Sequence, residues 1–518
     1  MPRSSPPAAG RYRDNGPMPD SDRLATWGIP VAFVVVVSAV LLAVFPLGFT
    51  NYDTIYYLLW GREIFDGMSP DYAPALTPTP HPLYDLLGFV AAPLGDGAIT
   101  VAVVIAYFSL GLLVFLVYRL GSIWFDRPIG LLAALFVITA APVLSTGLRA
   151  YIDIPFLVLC LWALLVETRR PRAGWPVLAL LIPAGLLRPE AWLFSGAYFL
   201  YLMVDVKRIP GRRLPGLEFR PEGIGRRVVG LAILAAAAPL LWFLFDLITA
   251  GNPLESFTGT RDNVETLERN TGPVDVVLYG PRSLGEVLQW PGMIGALLGV
   301  LLTLKVMPKR AAVPLAGAVL ALGAFAVLGA AGLAIIPRYT MLGASILAVF
   351  SAATILGWRL VPADSRWRRP WQAAALLVVL LYLVWLPNQI DLLETVDRDL
   401  ANQSLVENDL EALVDDGAFE PLTDPDCLPI SVPNHRATPR LAFWLDIRPS
   451  RVVSIAAAEK QPEAGYFLAP ARPFTLHNFI LDPGQPGRAV TRPPPGFRPV
   501  AENRSWKLYR RCPVPYRG

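Results

Sequence analysis

The sequence predicts a polytopic α-helical membrane protein of about eleven transmembrane helices, with a small α/β or α+β domain following them. Three observations lead there. Hydrophobic residues fill 54% of the 518 positions, charged residues only 17%, and mean hydropathy is +0.46. Apolar runs recur between residues 27 and 387, and Lys and Arg gather in alternate connections between them. Beyond residue 388 the composition is that of an ordinary globular domain. A net charge of +4 leaves no basic field for nucleic acid, and three histidines with three cysteines cannot build a multi-ligand zinc site.

Residues 1–26 are rich in Pro, Ser, Gly and Arg without apolar periodicity, which predicts a disordered cytoplasmic tail. Trp27 to Phe49 meets the criterion of roughly 20 residues for a spanning helix and is too long for a signal-peptide core, so it reads as an uncleaved first span. Pro82–Pro93 is short and Pro-bounded: an interfacial helix or the start of the second span. Further runs lie near 99–118, 128–147, 152–166, 175–187, 191–204, 228–249, 291–304, 311–335, 340–358 and 371–387. Gly295 and Gly299, four apart in one of them, suit close helix packing.

Basic residues set the orientation. With the N-terminus cytoplasmic, the inside loops hold Arg119 and Arg127, then Arg169, Arg170 and Arg172, seven Lys and Arg between 207 and 227, Lys305, Lys309 and Arg310, and four Arg between 359 and 369. The outer loops, chiefly 50–98 and 250–290, are poor in them. The domain at 388–518 then falls outside the cell membrane as well. It begins with helical spacing over Asn388–Asp416, followed by strand-like runs at 428–432, 451–455, 466–469 and 506–511 and a short helix near 439–446. Cys427 and Cys512 bracket its folded part and would pair in an oxidising compartment, although two free thiols fit the sequence equally well; Cys160 lies inside a span as packing.

Hydropathy does not account for the ionisable residues at the outer ends of spans. Asp53 follows the first span in Asn51-Tyr-Asp-Thr-Ile-Tyr-Tyr, a segment expected to lie as an amphipathic helix along the outer interface, with Asp53 as its cap or as a functional acid. Arg149 and Asp153 flank the start of another span, Arg188 and Glu190 are wedged between two spans, and Arg338 with Tyr339 occupies a loop of a few residues. Charges confined in this way face a cavity or one another rather than lipid. Carboxylates and arginines at one mouth of a helical bundle suit an anionic lipid substrate, because guanidinium forks match phosphate oxygens and a carboxylate accepts a hydroxyl proton. No Walker or Rossmann glycine pattern is present, so an activated sugar would arrive on a membrane carrier such as a polyprenyl phosphate.

These residues resemble the GT-C superfamily of lipid-sugar-dependent glycosyltransferases, especially the branch with protein O-mannosyltransferases and the lipid A aminoarabinose transferase. The resemblance covers about residues 27–360. It rests on Asp53 soon after the first span, on Thr79-Pro-His81-Pro-Leu-Tyr84, on Asp153 with Pro155, on Arg188-Pro189, and on Arg338-Tyr339. Only one Pro follows His81, no second acid follows Asp53, and the tail beyond 388 matches no known element. The resemblance implies a multi-pass plasma-membrane enzyme that transfers a sugar, with inversion, from a polyprenyl-phosphate donor to a hydroxyl of a glycan, lipid or protein acceptor. Asp53 would be the general base. Arg188, Arg338 and Arg149 would hold the donor phosphate, and Asp153, Glu190, His81 and Tyr339 would orient groups or contact sugar and acceptor. The sequence marks no certain cofactor and leaves a divalent metal between Asp53, His81 and Glu190 open. Two other readings remain: a transporter or flippase of a lipid-linked saccharide, and a membrane scaffold acting through the 388–518 domain.

Overall fold

The computed structural model describes residues 20–46, 48–207, 216–219, 225–420, 427–457, 463–479 and 491–512. Most of the expected N-terminal tail lies outside them, and the first helix begins within its last residues. The elements run α1 (Asp20–Val44), α2 (Tyr52–Phe65), α3 (Pro82–Ala91), α4 (Gly97–Trp124), α5 (Arg127–Thr139), α6 (Ala141–Leu148), α7 (Asp153–Arg169), α8 (Trp175–Leu187) and α9 (Glu190–Met203). A two-stranded ribbon follows, β1 (Val204–Lys207) with β2 (Gly216–Phe219), and then α10 (Arg226–Ala250), α11 (Glu255–Thr266), α12 (Pro273–Val306), α13 (Pro308–Ala330), α14 (Met341–Leu356) and α15 (Arg368–Asp415).

Each apolar run of the sequence falls mainly on helix, but only six helices among the described residues are long and apolar enough to cross a membrane unaided. The run at 128–147 is a broken one, α5 and α6 meeting at 64°. Pro142 in the first turn of α6 has no N–H to continue the α5 ladder, so Ala140 turns extended instead. The shorter apolar helices include Pro30–Val44, Pro82–Leu94 and Trp175–Leu187. Two expected boundaries move. The outer loop 250–290 is largely helical, because α12 starts at Pro273 and is interrupted only at Gln289 (φ 57°), two residues before Pro291. The boundary at 388 disappears inside α15, which runs unbroken through Pro387. Along that helix the chemistry still changes: Leu383 and Val384 are more than half exposed, whereas Val406 and Leu410 are fully buried. Gly295 and Gly299 do mark a close approach, since a Cβ on Gly299 would strike the carbonyl of Phe350 in α14.

The chain then forms β3 (Ile430–Val432), α16 (Thr438–Trp444), β4 (Val452–Ser454), β5 (Gly465–Pro470), α17 (Pro473–Phe479), β6 (Arg498–Glu502) and β7 (Trp506–Arg511). The sheet order is β4-β3-β5-β7-β6, with β3 parallel to β4 and β5 and the remaining pairs antiparallel, a mixed α/β arrangement. β6 was not foreseen: it is an edge strand containing Pro499, almost wholly exposed, and so carries no apolar alternation. A disulfide joins Cys427 to Cys512, with an S–S distance of 2.00 Å.

α2 differs most from expectation. Ile55, Tyr56, Tyr57, Leu58, Leu59 and Trp60 are all essentially inaccessible, so the helix is core rather than an interfacial strip. Gly61 and Gly88 let α2 and α3 touch backbone to backbone, and Trp60 donates through Nε1 to the carbonyl of Asp71 at 3.1 Å. α16 covers the remaining side: Arg62 donates to the carbonyl of Phe443 at 3.2 Å and pairs with Asp446 at 3.2 Å. The periodicity Tyr52, Tyr56, Leu59 marked one apolar face; the other face is apolar too, which is the signature of a helix buried all round.

Candidate active site

Three helices begin at one end of the bundle with an acid in their first turn: Asp53 in α2, Asp153 in α7 and Glu190 in α9. The partial positive charge of a helix N-terminus favours a carboxylate there. Between them lies a cavity of about 400 Å³ whose lining includes Asp53, His81, Asp153, Arg188, Glu190, Arg338 and Tyr339. Seven of the eight residues expected at a donor or acceptor site therefore meet in one place, although they come from five separate segments of the chain.

The cap of α2 explains why Asp53 is available. Asn51, not Asp53, accepts the amides of Asp53 and Thr54 at 2.8 and 3.2 Å. The Asp53 carboxylate is left to face Arg338, with Nη1 to Oδ2 at 3.5 Å, and both side chains are about one quarter exposed. Arg188 is placed differently. It is buried, ion-paired with both Asp153 and Glu190, its Nε donating to Glu190 at 3.1 Å. Tyr339 lies near both arginines: the Arg188 guanidinium is 4.0 Å from its ring centroid and that of Arg338 is 5.4 Å away, and the Tyr151 ring is 5.1 Å from Arg338. The Nε of Arg338 is buried without a hydrogen-bond partner.

His81 packs edge-on against Tyr57 and Trp242, each ring 5.3 Å away, and its Nδ1 has no partner. Burial, reinforced by Arg188 and Arg338, pushes its imidazole below the ordinary range and keeps it neutral. Arg149 is not in this cavity. Its Nε donates to Gln403 at 2.8 Å and its Nη1 to Ser145, beside a smaller void that Tyr151 also borders. Among the described residues no three His, Cys, Asp or Glu side chains are placed to hold a metal ion, and Glu190 is engaged by Arg188; the metal left open between Asp53, His81 and Glu190 has no ligand set here.

The rest of the cavity wall was missed from sequence. Trp192, Trp242 and Phe243 form an aromatic side, with Trp192 and Trp242 rings 5.6 Å apart, and Phe257, Phe325 and Leu328 extend it. Asp246, almost fully buried in α10, accepts from the amide and hydroxyl of Ser256 at 3.0 and 2.8 Å and thereby ties α11 to the cavity. An acid within the run 228–249 was a legible signal, because an ionisable residue inside a span needs a partner. α11 is held from the other side as well, Asn263 donating to the carbonyl of Thr77 at 2.6 Å, so one face of it walls the cavity while the other is exposed.

A bundle of membrane-length helices, three shorter helices whose N-terminal acids converge with two arginines on one cavity, and a mixed C-terminal sheet define the class: the chain has the GT-C fold. The particular structure it is similar to is ArnT from Cupriavidus metallidurans, solved bound to undecaprenyl phosphate, at a TM-score of 0.50 and 14% identity over 94% of this chain and 98% of that one. Two structures of an Archaeoglobus fulgidus oligosaccharyltransferase, one with Zn and sulfate and one with an inhibitory peptide and a dolichol-phosphate, score 0.44 and 0.42 at 13% and 14% identity. Each aligns with 82% of this chain, which covers 62% and 64% of theirs. No family model and no curated protein matches the sequence.

Proposed function

We propose that this chain is an inverting glycosyltransferase that moves a sugar from a polyprenyl-phosphate donor to an acceptor hydroxyl at the outer face of the plasma membrane. The observation that carries the reading is the Asp53–Arg338 pair at the mouth of an aromatic-walled cavity. Two guanidiniums here face three carboxylates, so an incoming phosphate has to displace one of them. The pairs of Arg188 are doubled and buried; that of Arg338 is single, 3.5 Å long and about one quarter exposed. A donor phosphate would take Arg338 and release Asp53, which then accepts the proton of the attacking hydroxyl as the carbon–phosphate-oxygen bond breaks on the opposite face of the sugar. A phosphate leaves without a strong general acid, so one base suffices.

Arg188 in this scheme is a positioning residue, holding Asp153 and Glu190 in place for sugar hydroxyls and supporting Tyr339. Neutral His81 offers Nδ1 to donor or acceptor, and the apolar wall takes the first isoprene units of the carrier. The test is Asp53→Asn in cells lacking the native protein, with lipid-linked sugars and envelope glycans followed by mass spectrometry. The transferred sugar should disappear and its lipid-linked form accumulate. Undiminished transfer by a stably inserted Asp53→Asn protein removes the base assignment, and intact transfer with failed lipid translocation turns the reading toward a flippase.

A further inference from the structure

We infer that a second, oxyanion-binding site lies directly behind Asp53, built jointly by the helical bundle and the C-terminal domain, and that it holds a phosphate group of the acceptor. The inference rests on the transferase reading only for the word acceptor; the site stands on its own geometry. A void of about 50 Å³ is lined by Arg149, Arg436, Arg440, Glu407, Tyr52 and Asn478, among others. A polar cavity needs roughly 10–15 Å³ in this measure to hold one water, so there is room for several waters or one tetrahedral anion.

The charges are unequal. Glu407 is taken by Arg440, at 2.6 Å, and Arg440 also donates to the carbonyl of Thr50. Arg149 is largely buried, bonded only to the neutral Gln403 and Ser145 with Phe49 against its guanidinium, and among the described residues no carboxylate pairs with it. Asp399 and Glu407 act on Arg149 only through space, Glu407 being bonded to Arg440, and a buried guanidinium without a directly bonded anion is costly. The Tyr52 hydroxyl donates to Leu76 and the Asn478 amide to Phe474, which leaves one N–H of Asn478 for an oxyanion.

The backbone places this site one peptide layer from Asp53. Ala150 sits in the left-handed region at φ 52°, a strained conformation for alanine, between Arg149 and Tyr151; both side chains border the void, and the Tyr151 ring also lies 5.1 Å from the Arg338 guanidinium. The carbonyl of Arg149 accepts from both the amide and Nδ2 of Asn51, each at 2.9 Å, and the carbonyl of Ala150 from Thr54 at 2.7 Å. An acceptor anchored at Arg149 by its phosphate is thereby within one residue layer of the carboxylate that would deprotonate its hydroxyl.

The experiment is calorimetric titration of inorganic phosphate into the full chain in phosphatidylcholine nanodiscs, in an Arg338→Gln background that silences the cavity in front of Asp53. Saturable binding should persist in that background and weaken at least tenfold on adding Arg149→Gln, with Arg149→Lys intermediate. Asn478→Asp, which puts a negative charge into the void from the other domain, should give the same loss and decides the matter if Arg149→Gln fails to fold. Competition by phosphatidic acid in the nanodisc assigns the phosphate to a lipid headgroup; competition by glycerol phosphate alone assigns it to a soluble acceptor. Absent binding in the Arg338→Gln protein, or binding that neither Arg149→Gln nor Asn478→Asp weakens, overturns the site. A fully active Asp53→Asn enzyme would remove the base and leave these titrations unchanged, so the two ideas fail separately.

Discussion

Asn51 accepts the first amides of α2, so the acid two residues on is free to meet an arginine 285 positions away. Replacing Asn51 by Ala should cost about 1 kcal/mol of stability, the usual worth of an N-cap side chain, and lower activity more than a remote substitution of equal cost, since it frees the turn that aims Asp53. Thermal midpoint and turnover measured together would show it; unchanged turnover would separate the cap from the site. Arg338→Gln should lower kcat/KM about 100- to 1000-fold, the range seen when one charge-stabilising donor is lost, and Arg338→Lys should recover part of it because charge survives but the two-pronged geometry does not. A lysine variant no better than glutamine would argue against phosphate contact. Of the site residues, the acids and arginines were legible because each sits where hydropathy leaves no room for a charge. Trp192 and Trp242 were not, because an aromatic in an apolar run is indistinguishable from packing until its neighbours are known.

At the scale of elements, the approach of α2 to α3 depends on two glycines. A Cβ on Gly61 would run into the backbone of Gly88 and Phe89, and one on Gly88 into the carbonyl of Tyr57. Backbone cannot rotate aside as a side chain can, so Gly61→Ala should destabilise by about 1–3 kcal/mol and carry Asp53 out of register with Arg338. Gly196→Ala in α9, with nothing within 4 Å of the new methyl group, is the matched control and should cost nothing. Comparable melting curves for the two variants would refute the packing role. The apolar runs revealed where helices lie because lipid and core both select for the same residues. For that very reason they failed to distinguish a spanning helix from α2, which is buried by protein, and they overran the boundary at 388, where α15 continues with its apolar face turned inward.

For the whole molecule, the C-terminal domain clamps both ends of α2. Arg440 reaches Thr50 before its first turn, while Arg448 lies 3.6 Å from Glu63 and 3.7 Å from Asp71 beyond its middle, and the amide of Ser450 donates to Asp71 at 2.8 Å. Burial pushes the Glu63 carboxyl up from 4.5 to about 7 despite the amide of Asp71 and the nearby Arg448. The folded protein therefore holds a proton that the unfolded chain has released between pH about 4.5 and about 7, so this contribution is full below that window and fades as pH rises through it. Thermal midpoints across that range should fall for the native protein and fall less for Glu63→Gln; parallel curves would contradict the shift. Opening the Cys427–Cys512 disulfide, whose ends are 85 residues apart, should cost about 2–5 kcal/mol and expose the sheet to limited proteolysis before the helices, whereas simultaneous digestion would show that the two regions unfold as one.

By itself the sequence determined that this protein belongs in a membrane, where its helices lie and which few charges could not be left to lipid, because the free energy of transfer from water is local and nearly additive along a chain. Only the tertiary structure decided which of those charges meet: Asp53 with Arg338, Arg188 with Asp153 and Glu190, and Arg149 apart from all of them. Those pairings depend on a capping side chain, two glycine contacts and one left-handed alanine, and packing of that kind is not a sum over residues.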